Sequence, residues 1–131
     1  MTRFLIVALG GAIGAMARYG VGLAWGRFGA AGGWPWATLS ANVLGGLLMG
    51  LLTGWLAFRS GAQGETIRLF AAVGVLGGFT TFSAFSLETA LMIERRQFAM
   101  AAGYVGVSVA VSVIALFIGL MVARRAFGAA L

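Results

Sequence analysis

Four long apolar runs dominate the chain, at about residues 4–25, 36–58, 67–93 and 98–123. Each is long enough for the roughly 20 residues that a helix needs to cross the hydrocarbon core of a bilayer. Of the 131 residues, 61% are hydrophobic and 9% are charged, and a soluble domain of this size could not bury so much apolar surface. The runs therefore predict an all-α membrane protein, a single domain of four transmembrane helices spanning residues 1–131.

The ionisable side chains exclude most enzymatic chemistry. The chain has no cysteine and no histidine, and it has three acidic residues, Glu65, Glu88 and Glu94. Thiolate metal sites, histidine proton transfer and a Ser-His-Asp triad are excluded, so we predict that the protein is not an enzyme. The net charge of +6 comes from nine arginines that punctuate the apolar runs. That pattern is typical of anchoring at the membrane interface, and we expect no nucleic-acid partner.

The third run contains a stretch that is poor helix material. Gly77 and Gly78 each lower helix propensity by roughly 1 kcal/mol, and the β-branched pair Thr80-Thr81 follows at once. In hydrocarbon an unwound turn is tolerated only where protein buries it or where it lines a wet cavity. We therefore predict that the third helix breaks in mid-membrane, with the backbone leaving the helix at Gly77, and that the break is a functional site.

A stripe of small residues ending in an arginine marks the first run. Gly10, Gly14 and Arg18 recur at four-residue spacing, which predicts a face that another helix can approach closely. Arg18 itself admits two interpretations: its side chain reaches back to the lipid headgroups, or it lies at a water-filled entrance.

Polar side chains recur at helical spacing on the second and fourth runs. Asn42 shares a face with Thr38, and either an interhelical hydrogen bond or a pore-lining position would explain it. On the last run Tyr104, Ser108 and Ser112 also follow one another at four-residue spacing. One serine can bond its own backbone, whereas three hydroxyls in file indicate a track of hydrogen-bond donors.

Two phenylalanines follow the expected break. Phe82 and Phe85 are three residues apart, and spacing alone favours packing for such a pair. A phenyl ring presents a positive edge to an anion, however, and hydroxyl and amide donors surround this segment. Donors together with ring edges indicate a path for a small, strongly hydrated anion. A cation exporter would instead need a carboxylate in mid-membrane, and the first, second and fourth runs have none.

The arginines are distributed almost evenly between the two sides of the membrane. With four spans, one side carries Arg3, Arg59, Arg68, Arg124 and Arg125, and the other carries Arg27, Arg95 and Arg96. Because this positive-inside bias is weak, the chain could insert in either orientation, and two opposite copies could pair.

The sequence resembles the Fluc (CrcB-type) fluoride channels over essentially its whole length. The segments that carry the resemblance are Gly10 to Tyr19, Thr38 to Gly45 and above all Gly77 to Phe85, read as GGFTTFSAF. Many relatives have glycine before the Thr38 threonine and threonine between the two phenylalanines, where this chain has Ala37 and Ala84. These conservative departures alter local packing and leave the assignment standing.

The resemblance implies an antiparallel, dual-topology homodimer in the cell inner membrane that passes fluoride passively out of the cytoplasm. It implies two pores, each lined by both subunits, and a central structural Na⁺ held by the backbone carbonyls of Gly77 and Thr80 in each chain. The fluoride pathway would then comprise Asn42, Thr81, Phe82, Ser83, Phe85, Tyr104, Ser108 and Ser112. Arg18, Thr38 and Glu88 would belong to a vestibule or pore end. The expected partners are fluoride, membrane lipid and a second copy of the chain.

Two other classes of protein remain as alternatives. A small multidrug-resistance-type exporter also has four short spans and dual topology, but it would need a membrane-embedded acid in the first helix, where this chain has Arg18. A non-transporting assembly or lipid-interacting protein would not need the polar stripes of the second and fourth runs.

Overall fold

The computed structural model describes residues 1–27, 33–59 and 61–128, and the described chain is helical. The helices are α1 (Thr2–Arg27), α2 (Trp36–Leu56), α3 (Ala62–Ile67), a π-helical segment (Arg68–Leu76), α4 (Gly77–Phe79), α5 (Phe82–Glu94) and α6 (Phe98–Gly128). Four stretches are long and apolar enough to cross a membrane, namely Thr2–Arg27, Trp36–Leu56, Ala62–Glu94 and Phe98–Gly128. The prediction of an all-α fold with four membrane-spanning stretches is confirmed.

Glycines allow α1 to lie directly against the π-helical segment. A Cβ added to Gly10 would lie 2.5 Å from the Phe70 carbonyl oxygen, and one added to Gly14 would collide with the Val75 carbonyl oxygen. Both glycines are buried. Small residues at such a contact let helix backbones approach closely, which is the main source of helix association in lipid. The small-residue stripe of the first run therefore faces the third span.

A second set of glycines joins α2 to α6. A Cβ on Gly50 would collide with the Leu116 carbonyl, a Cβ on Gly119 would collide with the Leu47 carbonyl, and a Cβ on Gly46 would lie 2.8 Å from the Ser112 carbonyl. The closest packing therefore occurs within two pairs: α1 with the first half of the third span, and α2 with α6.

The helical backbone is interrupted between α4 and α5, three residues later than predicted. Gly77 has helical angles (φ −62°, ψ −38°), so the expectation that the chain leaves the helix at this glycine is wrong. Extended angles occur instead at Thr80 (φ −79°, ψ 156°) and Thr81 (φ −150°, ψ 119°). Their β-branched side chains fit extended backbone well. Thr81 then caps α5 by accepting a hydrogen bond from the Ala84 amide at 3.2 Å.

The π-helical segment before the interruption has no counterpart in the sequence-based expectations. At its end the amide of Gly77 donates to the carbonyl of Ala72, five residues earlier, which is π-type hydrogen bonding. Such segments are uncommon and are often found near functional sites. Here the segment immediately precedes α4 and the interruption, and it is the part of the third span against which α1 packs.

Candidate functional site

A cavity of about 420 Å³ lies between α2, the interruption and α6. Its lining residues are Asn42, Gly45, Gly46, Met49, Thr80, Thr81, Phe82, Phe85, Ser108, Val109, Ser112, Val113 and Leu116. Polar lining groups are thus amides and hydroxyls set in an apolar wall, and no acidic or basic side chain is among them. The structure brings together six of the pathway residues expected from sequence, namely Asn42, Thr81, Phe82, Phe85, Ser108 and Ser112.

Asn42 holds the interruption in place from α2. Its Oδ1 accepts a hydrogen bond from the Thr81 amide at 2.8 Å, and its Nδ2 donates to the Thr81 carbonyl at 3.0 Å. One side chain therefore satisfies both backbone groups of a residue that no longer belongs to a helix, as buried backbone requires. Asn42 therefore makes the interhelical hydrogen bond of the first interpretation, and its side chain also lines the cavity.

The two serines of α6 present buried hydroxyls to the cavity. Within the described chain, neither Ser108 Oγ nor Ser112 Oγ has a hydrogen-bond partner. Leaving a buried polar group unpaired costs about 1–3 kcal/mol, so these hydroxyls are suited to binding something that enters the cavity. Tyr104, the first member of the same file, is fully buried at 0% exposure and does not line the cavity.

The aromatic pair after the interruption occupies two different environments. The ring centroids of Phe82 and Phe85 are 5.5 Å apart with planes at 41°. Phe85 is 9% exposed and its ring lies 5.3 Å from that of Tyr104, whereas Phe82 is 78% exposed in the single chain. Phe85 therefore packs in the core and lines the cavity at once, while much of the Phe82 ring is uncovered. Ser83 is exposed, does not line the cavity and has its hydroxyl 3.2 Å from that of Thr81.

Glu88 lies at the centre of a compact polar cluster. Thr38 Oγ1 donates to Glu88 Oε1 at 2.6 Å, and the Tyr104 hydroxyl donates to Glu88 Oε2 at 2.7 Å. Each oxygen of the Glu88 side chain thus accepts one short hydrogen bond from a neutral hydroxyl. Sequence reasoning assigned Thr38 and Glu88 to a pore end but did not predict that they touch. Their separation of 50 positions gives no local signal.

Arg18 points toward the third span. Its Nε donates to the Gly78 carbonyl at 3.1 Å, and the residue lines a second cavity of about 230 Å³ together with Thr38 and Thr81. The two positions at which the sequence departs from the expected motifs, Ala37 and Ala84, line the same cavity.

Two backbone carbonyls at the interruption lose their usual donors. In a continuous helix the Gly77 carbonyl would accept from the Thr81 amide, which here donates to Asn42. The Thr80 carbonyl would accept from the Ala84 amide, which here donates to the Thr81 hydroxyl. Over residues 1–27, 33–59 and 61–128, no group of three His, Cys, Asp or Glu side chains could hold a metal ion. A cation at this point would therefore need neutral oxygens, of which the main-chain carbonyls are one source.

Several apolar lining residues were not assigned to the site from the sequence, although Gly46 shares the face of Asn42 by its four-residue spacing. Gly45, Gly46 and Met49 follow Asn42 by three, four and seven positions, which is the spacing of one helix face. Val109, Val113 and Leu116 extend the serine face of α6 in the same way. The same helical periodicity could have identified these residues. On an apolar helix, however, apolar residues on one face cannot be distinguished from those on the other faces.

The fold and the cavity define a class: a multi-pass membrane protein with a cavity of hydrogen-bond donors between its helices. Residues 5–120 match the model of the family described as CrcB-like protein, Camphor Resistance (CrcB). The chain belongs to this family.

Named relatives cover nearly the whole chain. A protein of Caulobacter sp. (strain K31) is 59% identical over 97% of this chain and 98% of its own length. A protein of Phenylobacterium zucineum (strain HLK1) is 58% identical over 97% of this chain and 99% of its own length. A protein of Caulobacter vibrioides (strain NA1000 / CB15N) is 53% identical over 97% and 99%. All three bear the name fluoride-specific ion channel FluC. The sequence-based assignment to this family, and to a non-enzymatic class, is confirmed.

Proposed function

We propose that the protein is a channel that lets fluoride leave the cytoplasm passively, down its electrochemical gradient. The observation that carries this proposal is the cavity beside the interruption, whose polar lining consists of amide and hydroxyl groups and includes no charged side chain. The membrane involved is the cell inner membrane. The relatives bear the name fluoride-specific ion channel, and this supports fluoride as the conducted ion.

The chemistry of the cavity suits a small anion. An ion that enters a narrow site must exchange its hydration shell for groups on the protein, and selectivity follows from how well those groups replace the water. Ser108 and Ser112 offer hydroxyl protons that have no other acceptor among the described residues. Phe82 and Phe85 lie beside them, and their ring edges carry the positive part of the aromatic quadrupole.

Conduction is expected to be independent of a proton gradient. The chain has no histidine, and the acidic residue nearest the cavity, Glu88, is held by two donors outside the cavity lining. Purified protein in liposomes loaded with fluoride should release it when a potassium diffusion potential is set, and it should retain chloride. Fluoride efflux that stops when the pH gradient is collapsed at constant voltage would identify a proton-coupled exchanger instead.

The named relatives do not favour the multidrug-type exporter. Such a protein would need an acid within the first span, and α1 carries Arg18 with its Nε on the Gly78 carbonyl. The flux measurement also separates the two, because an exporter of organic cations would leave fluoride in the liposomes.

We further propose that two copies pair in opposite orientations. The Phe82 ring lines the cavity yet is 78% exposed in the single chain, and a second copy would cover it. The near balance of arginines between the two sides supports insertion in both orientations. Each pore would then be completed by the partner.

Dual insertion can be tested with a cysteine at one terminus, because the chain has none of its own. Thr2→Cys in intact cells should react with a membrane-impermeant maleimide to about half of the total. The remainder should react after the membrane is permeabilised. Labelling from one side only would contradict the antiparallel pair. Membrane insertion can be verified independently by extraction with detergent but not with alkaline carbonate.

A structural Na⁺ at the interruption is the last part of the proposal. Hard cations favour oxygen ligands, and the Gly77 and Thr80 carbonyls have lost the amide donors that a continuous helix would supply. An unsatisfied carbonyl in a medium without water costs several kcal/mol. Two carbonyls from each of two chains would give the ion four oxygens. When bound, the ion would supply positive charge that holds the two interruptions together.

A further inference from the structure

Buried hydrogen-bond donors without partners occur at three points of the described chain. They are Ser108 Oγ, Ser112 Oγ and the indole Nε1 of Trp34. An indole N–H can only donate, and burying it unpaired costs about 1–3 kcal/mol. The proposed fluoride pathway accounts for the two serines, and Trp34 remains to be explained.

Trp34 lies next to the file of hydroxyls on α6. Its ring meets the ring of Tyr104 edge-on, with centroids 5.7 Å apart and planes at 86°. A Cβ added to Gly103 would lie 3.8 Å from Trp34 Cη2, so the indole also covers the neighbouring turn of α6. Ser108 and Ser112 follow Tyr104 by one and two helical turns, and Trp34 flanks the same tyrosine. The three unpaired donors are therefore associated with one column that contains Tyr104.

Anchoring at the lipid headgroups does not explain this indole. A tryptophan in an interfacial belt keeps its N–H at the wet surface. The nearby Trp36 fits that role, since it is 41% exposed and stacks on Trp25 at 6.0 Å. Trp25 donates its own N–H to Ser40 at 3.1 Å. Trp34 instead packs against the buried cluster that includes Phe85 and Tyr104, with its N–H inside.

The other donors at this end of the column are already engaged. The hydroxyl protons of Thr38 and Tyr104 are both given to Glu88. An anion that moves from Ser108 toward this end therefore meets donors that are occupied by a carboxylate. The uncommitted donor beside them is the Trp34 indole.

We propose that Trp34 is a further residue of the conduction path, whose indole N–H binds the anion where the column of α6 hydroxyls ends. This inference rests on the proposed fluoride conduction and adds to it a named donor at the pore end. The indole takes a small anion that has shed part of its water. Because the donor is fixed by the edge-on contact with Tyr104, it favours fluoride over the larger chloride.

The test compares Trp34→Phe with Trp55→Phe. Phenylalanine keeps an aromatic ring against Tyr104 but removes the N–H. Trp36 is unsuitable as a control because its ring lies 6.0 Å from that of Trp34, whereas Trp55 lies at the far end of α2. A hydrogen bond to a charged group is worth enough to predict a roughly tenfold or larger loss of fluoride flux for Trp34→Phe. Trp55→Phe should conduct like the wild type. Equal flux in Trp34→Phe and the wild type would overturn the assignment.

A second measurement on the wild-type protein keeps the test decisive if Trp34→Phe does not fold. The ¹⁵N-labelled indole N–H signals of the four tryptophans are assigned with the single Trp→Phe variants that do fold. Added fluoride should move the Trp34 signal downfield, and equal chloride should leave it in place. A Trp34 signal that ignores fluoride refutes the inference, while wild-type protein that passes no fluoride refutes the proposed function itself.

Discussion

Replacing Phe85 with isoleucine is expected to cut fluoride flux by about tenfold or more while the protein still assembles. The Phe85 ring lines the cavity and lies 5.3 Å from Tyr104 and 5.5 Å from Phe82. Isoleucine retains much of the apolar volume but has no ring edge to offer an anion. A barrier raised by about 1.4 kcal/mol lowers a rate tenfold. Fluoride efflux from liposomes measures the effect.

Phe82→Ile separates conduction from packing. Because Phe82 is 78% exposed in the single chain, its loss removes less buried area than the loss of Phe85, which is 9% exposed. We expect Phe82→Ile to reduce flux severely as well, with wild-type elution on a sizing column. Phe4→Ile, at a position that is 82% exposed near the start of α1, is the matched control and should conduct normally. Normal conduction by both Phe82→Ile and Phe85→Ile would show that the two rings serve packing only.

Removing Na⁺ is expected to abolish fluoride flux and to weaken the dimer. The proposed ligands are the main-chain carbonyls of Gly77 and Thr80, whose usual helical donors, the Thr81 and Ala84 amides, bond to side chains instead. Protein exchanged into N-methyl-D-glucamine should lose activity slowly and regain it when Na⁺ returns. Fluoride flux that stays unchanged after long dialysis against Na⁺-free buffer would contradict the proposed structural Na⁺.

Asn42→Leu provides a specific variant for the same question. Without the amide, the Thr81 N–H is free to bond to the Gly77 carbonyl, as it would in a continuous helix. The concentration of Na⁺ needed to stabilise the dimer should then rise about tenfold or more, since a ligand is withdrawn. Thr53→Ala, at an exposed position on the same helix, should leave the Na⁺ requirement unchanged.

Periodicity and composition predicted the spans and the polar face of each helix. Apolar runs of sufficient length have few alternatives to helices in lipid, and four-residue spacing places Tyr104, Ser108 and Ser112 on one face of α6 wherever that helix lies. The glycine stripe at Gly10 and Gly14 likewise predicted a close helix contact, and the structure supplies the partner that the sequence left unnamed.

Contacts between residues that are far apart in the sequence could not be predicted from it. Propensity placed the departure from the helix at Gly77, because glycine is a weak helix former, but propensity is overridden where side chains offer better hydrogen bonds. Asn42, 39 positions earlier, takes the Thr81 amide, and the chain becomes extended there. The hydrogen bonds from Thr38 and Tyr104 to Glu88 could not be predicted for the same reason. Helical spacing shows which face a polar residue lies on, but it does not show which residue of another helix it contacts.

The pair of hydrogen bonds between Asn42 and the Thr81 peptide groups unites two requirements in one side chain. The same amide keeps the interrupted backbone satisfied and forms part of the cavity wall. Aspartate would keep the acceptor but lose the donor, and a shorter serine could not reach both groups at once. Evolution therefore has little freedom to adjust ion permeation at this position without also altering how the chain folds. Functional diversity among such proteins is expected to arise at neighbouring positions, such as Ala37 and Ala84, which line the second cavity and whose methyl side chains make no hydrogen bonds.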